Sequence, residues 1–369
     1  MVDTIRISTS IYHDELNLEK WKSGIDEETK ENYYFIFINA IRIAYYPNTK
    51  TVIITGRYIS FITKNKTKNF DDLFESREEI LKFFSKLEDK INSYFKVDSI
   101  DILHNKITRI DYCFNICTPY VDKYIEFFNL YYCKKKDELF KRYINHTIHM
   151  ELDITSAFYL KTKSQYEKNL NQNYTINFYN KANQMINKME TNKENPFKSN
   201  ISMQDIIEAQ NILRLEIQLH HVKLKSVCKK NKIPWDKRCL YYLFDINIAR
   251  NVLHDEIKRF FTDKDFYSYK ETKAILKRHG NIDKIVYDYI LALAKGNKLP
   301  NSKKPIKILE KLGIFPHMFL PAKWDIDKLE NPIKLIDEKI EINNLNWLKI
   351  RNWKDDNYVK KRKKPNEIK

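Results

Sequence analysis

Apolar and polar positions change their period several times along the 369-residue chain. Residues 33 to 62 read as strands, and TVIITG (51 to 56) ends in a glycine that predicts a turn. From 71 to 95 the period lengthens. Leu73, Ile80, Phe84, Leu87, Ile91 and Phe95 recur at helical spacing with charges between them, which predicts an amphipathic helix covering one face of a sheet. ITRIDYCFNI (107 to 116) returns to alternation, and a helix is expected from Val121 to Tyr132, after Pro119. Residues 151 to 163 and 173 to 181 have strand composition and flank the polar stretch SQYEKNLNQN, the signature of a long hairpin. A helical segment from about Ala182, a short helix capped by Ser202 and a strand through NILRLEIQLHHV (211 to 222) follow.

Beyond residue 222 the alternation stops. Leu240, Leu243, Phe244, Ile248, Val252, Ile257, Phe260 and Phe261 have near-helical spacing, and Gly280, Gly296 and Gly313 are placed to end helices in the left-handed conformation. The pattern predicts an α+β fold: an antiparallel-sheet domain with covering helices over 1–222, then a smaller all-helical C-terminal domain over 223–355. Residues 356–369 read as a basic flexible tail. No internal repeat is visible.

Because side chains alternate across a strand, one row can fill a core while the other lines a site. Three segments offer such a row. Ile110, Tyr112, Phe114 and Ile116 leave Arg109, Asp111, Cys113 and Asn115 opposite; Leu213, Leu215, Ile217 and Leu219 leave Arg214, Glu216, Gln218 and His220; Ile176 and Phe178 leave Asn177, Tyr179 and Lys181. The plain alternative is a solvated sheet face with surface ion pairs of little consequence. If the strands are neighbours, Asp111 and Glu216 converge as a hard oxygen site suited to Mg²⁺ or Mn²⁺. Tyr179 would then attack phosphorus, with Lys181 stabilising developing charge and Arg109 and Arg214 contacting DNA.

Charge narrows the partner. The 66 Lys and Arg against 49 Asp and Glu give a formal +17, which favours a polyanion, nucleic acid or an anionic membrane surface, although an AT-rich genome would also enrich lysine. The N-terminus lacks a signal-peptide core, and the apolar stretch Tyr33 to Tyr46 is interrupted by Asn39 and Arg42, so a cytoplasmic protein without a membrane partner is expected. Five cysteines without a CxxC pair fit reduced thiols. Five glycines in all exclude a Gly-rich phosphate cradle, and no Walker loop, GxSxG or zinc spacing occurs.

The runs ITRIDYCFNI, INFYNKANQM and ILRLEIQLHHVKLKSVCKKNKIP, with the helix start YYLFDINIARNVLHDEI, resemble the phage gene II and X family of replication proteins. The order xxRID, xYxK, xRxE is also similar to the initiators of small rolling-circle plasmids. The resemblance spans roughly residues 100 to 260. It implies a site-specific, metal-dependent DNA endonuclease and strand transferase that initiates rolling-circle replication of a phage or plasmid. On it, Tyr179 takes the nucleophile position, Lys181 its companion, and Asp111 and Glu216 the acidic positions. Single-stranded or supercoiled origin DNA and a host helicase are the expected partners. The chain departs from the larger nuclease superfamily in having no His-hydrophobic-His triplet: His146 and His149 are two residues apart, and His220 and His221 are adjacent. His220 shares the Glu216 row and is either an added ligand or a surface histidine.

His254, Asp255 and Glu256 are adjacent on a predicted helix, so they point apart. Ser268 to Lys295 could be a helix-turn-helix, but IDKIVYDYILALAK is more apolar than a reading helix should be, which favours a structural pair. Two rivals to the nickase remain: a non-catalytic origin-binding replication or partition protein in which Tyr179 stacks on a base, and an RNA-binding module using an aromatic sheet face.

Overall fold

The computed structural model describes residues 2–338 apart from 12–15, 27–28, 66, 69, 71–72, 75–76, 97–99, 135–139, 144–156, 163–173, 192–200, 259–260, 262–265, 281, 296–302, 315–319 and 321–328. Ten strands are described: β1 (Val2–Ser10), β2 (Lys22–Ile25), β3 (Asn32–Ile38), β4 (Ile41–Tyr46), β5 (Thr51–Gly56), β6 (Lys106–Cys117), β7 (Phe140–Tyr143), β8 (Ala157–Thr162), β9 (Tyr174–Asn180) and β10 (Ile212–Leu219). They form one sheet in the order β2-β3-β4-β5-β1-β6-β10-β9-β8-β7, with every pairing antiparallel. The expected hairpin is β8 with β9, whose connection lies outside the described residues, as do His146, His149, Gly296 and the basic tail.

Helices supply the other layer. They are α1 (Arg77–Asn92), α2 (Val121–Lys134), α3 (Lys181–Thr191), α4 (Met203–Ala209), α5 (His221–Lys230), α6 (Leu240–Leu243), α7 (Ile246–Ile257), α8 (Tyr269–Arg278), α9 (Lys284–Ala294) and α10 (Lys303–Lys311). The predicted apolar rows are buried: Ile110, Tyr112, Phe114 and Ile116 of β6 and Leu213, Leu215, Ile217 and Leu219 of β10 join Ile80, Phe84 and Leu87 of α1, Tyr124 and Ile125 of α2, Leu224 of α5 and Leu253 of α7 in one core. Removing these side chains from water at about 25 cal/mol per Å² is the main drive for the layering.

That core runs on past residue 222, where a domain boundary was expected. The reason is coverage: β6 and β10 need α5 and α7 over their apolar row, and Tyr112 Oη donates to Leu243 O at 2.7 Å. A separate apolar cluster, with Leu276, Val286, Tyr289, Ile290, Leu309 and Ile314 buried, unites α8, α9 and α10. The near-helical run that begins at Leu240 divides at Asp245, whose side chain accepts from the amides of Asn247 and Ile248 and so caps α7. Gly280 and Gly313 end α8 and α10 with φ of 75° and 73°. No helix among the described residues is long and apolar enough to cross a membrane.

Candidate active site on the sheet

Strand register brings the three polar rows together. β10 lies between β6 and β9, so Arg214 stands opposite Asn115 on one side and Tyr179 on the other, Glu216 opposite Cys113 and Asn177, and Gln218 opposite Asp111 and Thr175. Residues directly opposite each other share a face, so Tyr179, Glu216, Arg214 and Asp111 occupy the same one. Tyr179 Oη donates to Glu216 Oε2 at 2.9 Å. The other oxygen of Glu216 accepts from Gln218 Nε2 at 2.7 Å and Asn177 Nδ2 at 3.5 Å.

The face is not solvated, as one reading of the alternation held. Asp111 and Arg214 are 0% exposed, Tyr179 3% and Glu216 7%. The segment after β5 crosses its end: Asn115 Nδ2 donates to Thr67 O at 2.8 Å, and Asn65 Nδ2 reaches Glu208 of α4 at 3.1 Å. Buried charges must then be paired internally. Arg109 donates to both oxygens of Asp111, at 2.8 and 2.5 Å. Arg214 lies 2.5 Å from Asp3 Oδ1 and 3.8 Å from Glu216 Oε2, and Arg57 Nε is 3.3 Å from Asp3.

Two expected placements change. Arg214 was expected to contact DNA, yet it is enclosed between carboxylates and presents no surface to a phosphate. Lys181 was expected to continue the strand, but it opens α3; its Nζ donates to Gln184 Oε1 at 2.9 Å and lies 5.8 Å from the centre of the Tyr179 ring. Sequence reasoning missed Asp3 and Arg57. Asp3 reaches the site because β1 is bulged between Val2 and Ile5 where it pairs with β6, a long-range feature that no local pattern announces.

Burial shifts the ionisable groups. Asp111 is pushed up to about 8 by burial, against the opposing hydrogen bonds from Arg109 and with the charge of Glu216 adding to the rise. Burial and then the charge of Glu216 hold Tyr179 well above the ordinary phenol range, while Arg214 pulls the other way. Burial is the largest influence on Arg214 and would depress it, but Asp3, Cys113, Tyr179 and Glu216 together outweigh burial and hold the guanidinium charged. His220, immediately before α5, is lowered to about 4 by burial and by Arg109 and Arg6.

The donor set does not fit Mg²⁺ or Mn²⁺ as arranged. Both Asp111 oxygens are taken by Arg109, both Glu216 oxygens by Tyr179, Gln218 and Asn177, and His220 faces two arginines, an environment that repels a cation. Among the described residues no three His, Cys, Asp or Glu gather as a metal cluster. His254, Asp255 and Glu256 point apart, to Asp337, Lys230 and Lys223.

No family model matches the chain, and no curated protein does. Among solved structures, a rolling-circle replication initiator protein from Geobacillus stearothermophilus aligns over 69% of this chain and 83% of its own, with 11% identity and a TM-score of 0.32. A score that low assigns neither fold nor activity.

Proposed function

We propose that the chain initiates DNA replication by nicking one strand at an origin, with Tyr179 as nucleophile. The observation that carries this reading is the 2.9 Å hydrogen bond from Tyr179 to Glu216, with Arg214 beside the acceptor. A phenol held well above its ordinary range does not ionise by itself, so its proton passes to Glu216 as the oxygen bonds to phosphorus. The P–O3′ bond breaks, leaving a phosphotyrosine and a 3′-oxygen that takes up a proton. Arg214 faces the Glu216 carboxylate before the transfer, holding it ionised and ready to accept the proton. Tyr179 is 3% exposed, so access of a phosphodiester to its hydroxyl requires the site to open. Outside this site, Lys303, Lys307 and Lys311 are spaced four residues apart along an exposed side of α10 and suit the phosphates of duplex origin DNA.

The test is a denaturing gel of the full chain with supercoiled origin DNA. Wild type gives open circles and a covalent protein–DNA adduct; Tyr179→Phe gives neither while still retarding the DNA. Nicking by Tyr179→Phe at the wild-type rate would remove the tyrosine from the mechanism. The burial of Tyr179 favours a second reading, a non-catalytic origin-binding protein in which Tyr179 is a strut of the buried network. Retardation without any adduct from the wild-type chain selects it.

A further inference from the structure

The face that carries Tyr179 does not stop at β6. Register continues it from Arg109 to Arg6 of β1, Thr55 of β5, Arg42 of β4 and Phe37 of β3. Its character changes on the way. Over β6, β10 and β9 it is buried, whereas Tyr33, Phe35, Arg42, Tyr46, Thr55 and Arg6 are only partly buried. Their strands are anchored from the opposite side, by Ile36, Ile43, Ile54 and Ile7 in the core.

Aromatic side chains on a strand normally join a core, and these do not: Tyr33, Phe35 and Tyr46 belong to none of the apolar clusters of the described residues. They form a layer of their own. Tyr33 stacks on Tyr46 with ring centres 5.4 Å apart at 25°, and Phe35 lies 5.6 Å from Tyr33. The edge strand makes room, since a Cβ at Gly24 would come within 2.9 Å of the Tyr33 ring. The Arg42 guanidinium sits 5.0 Å from the centre of Tyr33 and 5.6 Å from that of Phe35. Among the described residues neither Arg6 nor Arg42 has a carboxylate partner, and Lys22 stands exposed opposite Phe35.

A ligand for this surface must offer flat rings and closely spaced negative charge together. Single-stranded nucleic acid does both; a duplex hides its base faces, and an anionic membrane has no rings to stack. We propose that the β3–β4–β5–β1 wing is a docking face for single-stranded DNA, with bases stacked on Tyr33 and Phe35 and phosphates held by Arg42 and Arg6. The choice of DNA over RNA rests on the nicking reading above. Four strand spacings of about 4.8 Å separate β4 from β10, roughly 19 Å, so a strand of several nucleotides lying on the wing leads across the same face toward Tyr179.

The test is fluorescence anisotropy with a labelled single-stranded DNA of about 12 nucleotides, using the full chain carrying Tyr179→Phe so that no cleavage intervenes. Tyr33→Leu and Phe35→Leu, with melting curves to confirm folding, are each expected to weaken binding about tenfold, as loss of one stacked base predicts, and Arg42→Gln severalfold. In parallel, ultraviolet crosslinking of a bromodeoxyuridine oligonucleotide to the unsubstituted wing should label peptides within residues 22–56, an arm that survives if a variant fails to fold. Binding within twofold in all three folded variants, or crosslinks confined elsewhere, overturns the docking face. Equal or tighter binding of RNA of the same sequence overturns the assignment to DNA. Failure of the nicking reading is seen separately, in the adduct gel, and leaves the binding comparison intact.

Discussion

Arg214 is shut off from solvent, and among the described residues it lies 2.5 Å from the Asp3 carboxylate and 3.8 Å from that of Glu216. Arg214→Met would leave two carboxylates facing each other in the interior, and breaking such a pair costs about 3–5 kcal/mol. The measurement is the urea midpoint; a midpoint equal to wild type would show that the cluster is solvated. Asp111 gives a pH signature. Its carboxyl is raised to about 8 when folded, against roughly 3.9 in an unfolded chain, so between those values the folded state holds the extra proton. Stability from this group is full below about 4 and is lost as pH rises through about 8. Asp111→Asn should therefore gain on wild type as pH is raised from 5 to 9, read as a growing difference in melting temperature. A constant difference would mean that Arg109 keeps the carboxylate ionised throughout. That Asp111 and Glu216 share a face was legible from alternation; the burial of that face and the hydrogen bond from Tyr179 were not, because they depend on what covers the face and on which strands are neighbours. Asp3 was illegible for a related reason, since a bulge in a distant pairing delivers it.

At the scale of elements, period carried most of the information. α1 follows the helical spacing of Ile80, Phe84, Leu87 and Ile91, and β6 and β10 bury the rows that alternation assigned to the core. Where the reading departed, a single polar side chain or a pairing partner decided. Asp245 caps α7 and splits one long apolar run into two helices, and the backbone leaves β9 after Asn180, whose side chain accepts from the amides of Ala182 and Asn183, so Lys181 starts a helix. Within Ser268–Lys295, Leu276 of α8 and Val286 and Ile290 of α9 are buried in one apolar cluster. Both rows of β3 are apolar, so hydrophobic patterning assigns both to a core. Only the sheet order shows that Tyr33 and Phe35 lie on the face continuous with Arg6 and Arg109 while Tyr34 and Ile36 pack inward.

On the scale of the molecule, the net +17 is not spread evenly in its consequences. Arg214, beside Tyr179, is neutralised inside the fold and offers nothing to a phosphate. The uncompensated charge that a nucleic acid can meet includes Arg6 and Arg42 on the wing and the lysines of α10. Of these, Lys304 is already paired with Asp283 at 2.6 Å, whereas Lys303, Lys307 and Lys311 have no carboxylate partner among the described residues. Each phosphate neutralised on duplex DNA contributes about 0.9 to the slope of log K against log salt. Replacing Lys303, Lys307 and Lys311 together by glutamine should therefore flatten that slope for a duplex origin fragment by about 2.7, measured by anisotropy between low and moderate salt. The exchange is confined to exposed positions on one side of the helix and leaves Leu309 in its core, so the melting temperature reports whether α10 is intact. A folded variant with the wild-type slope would show that α10 does not touch the duplex, and the excess of lysine there would then be a matter of composition and not of contact.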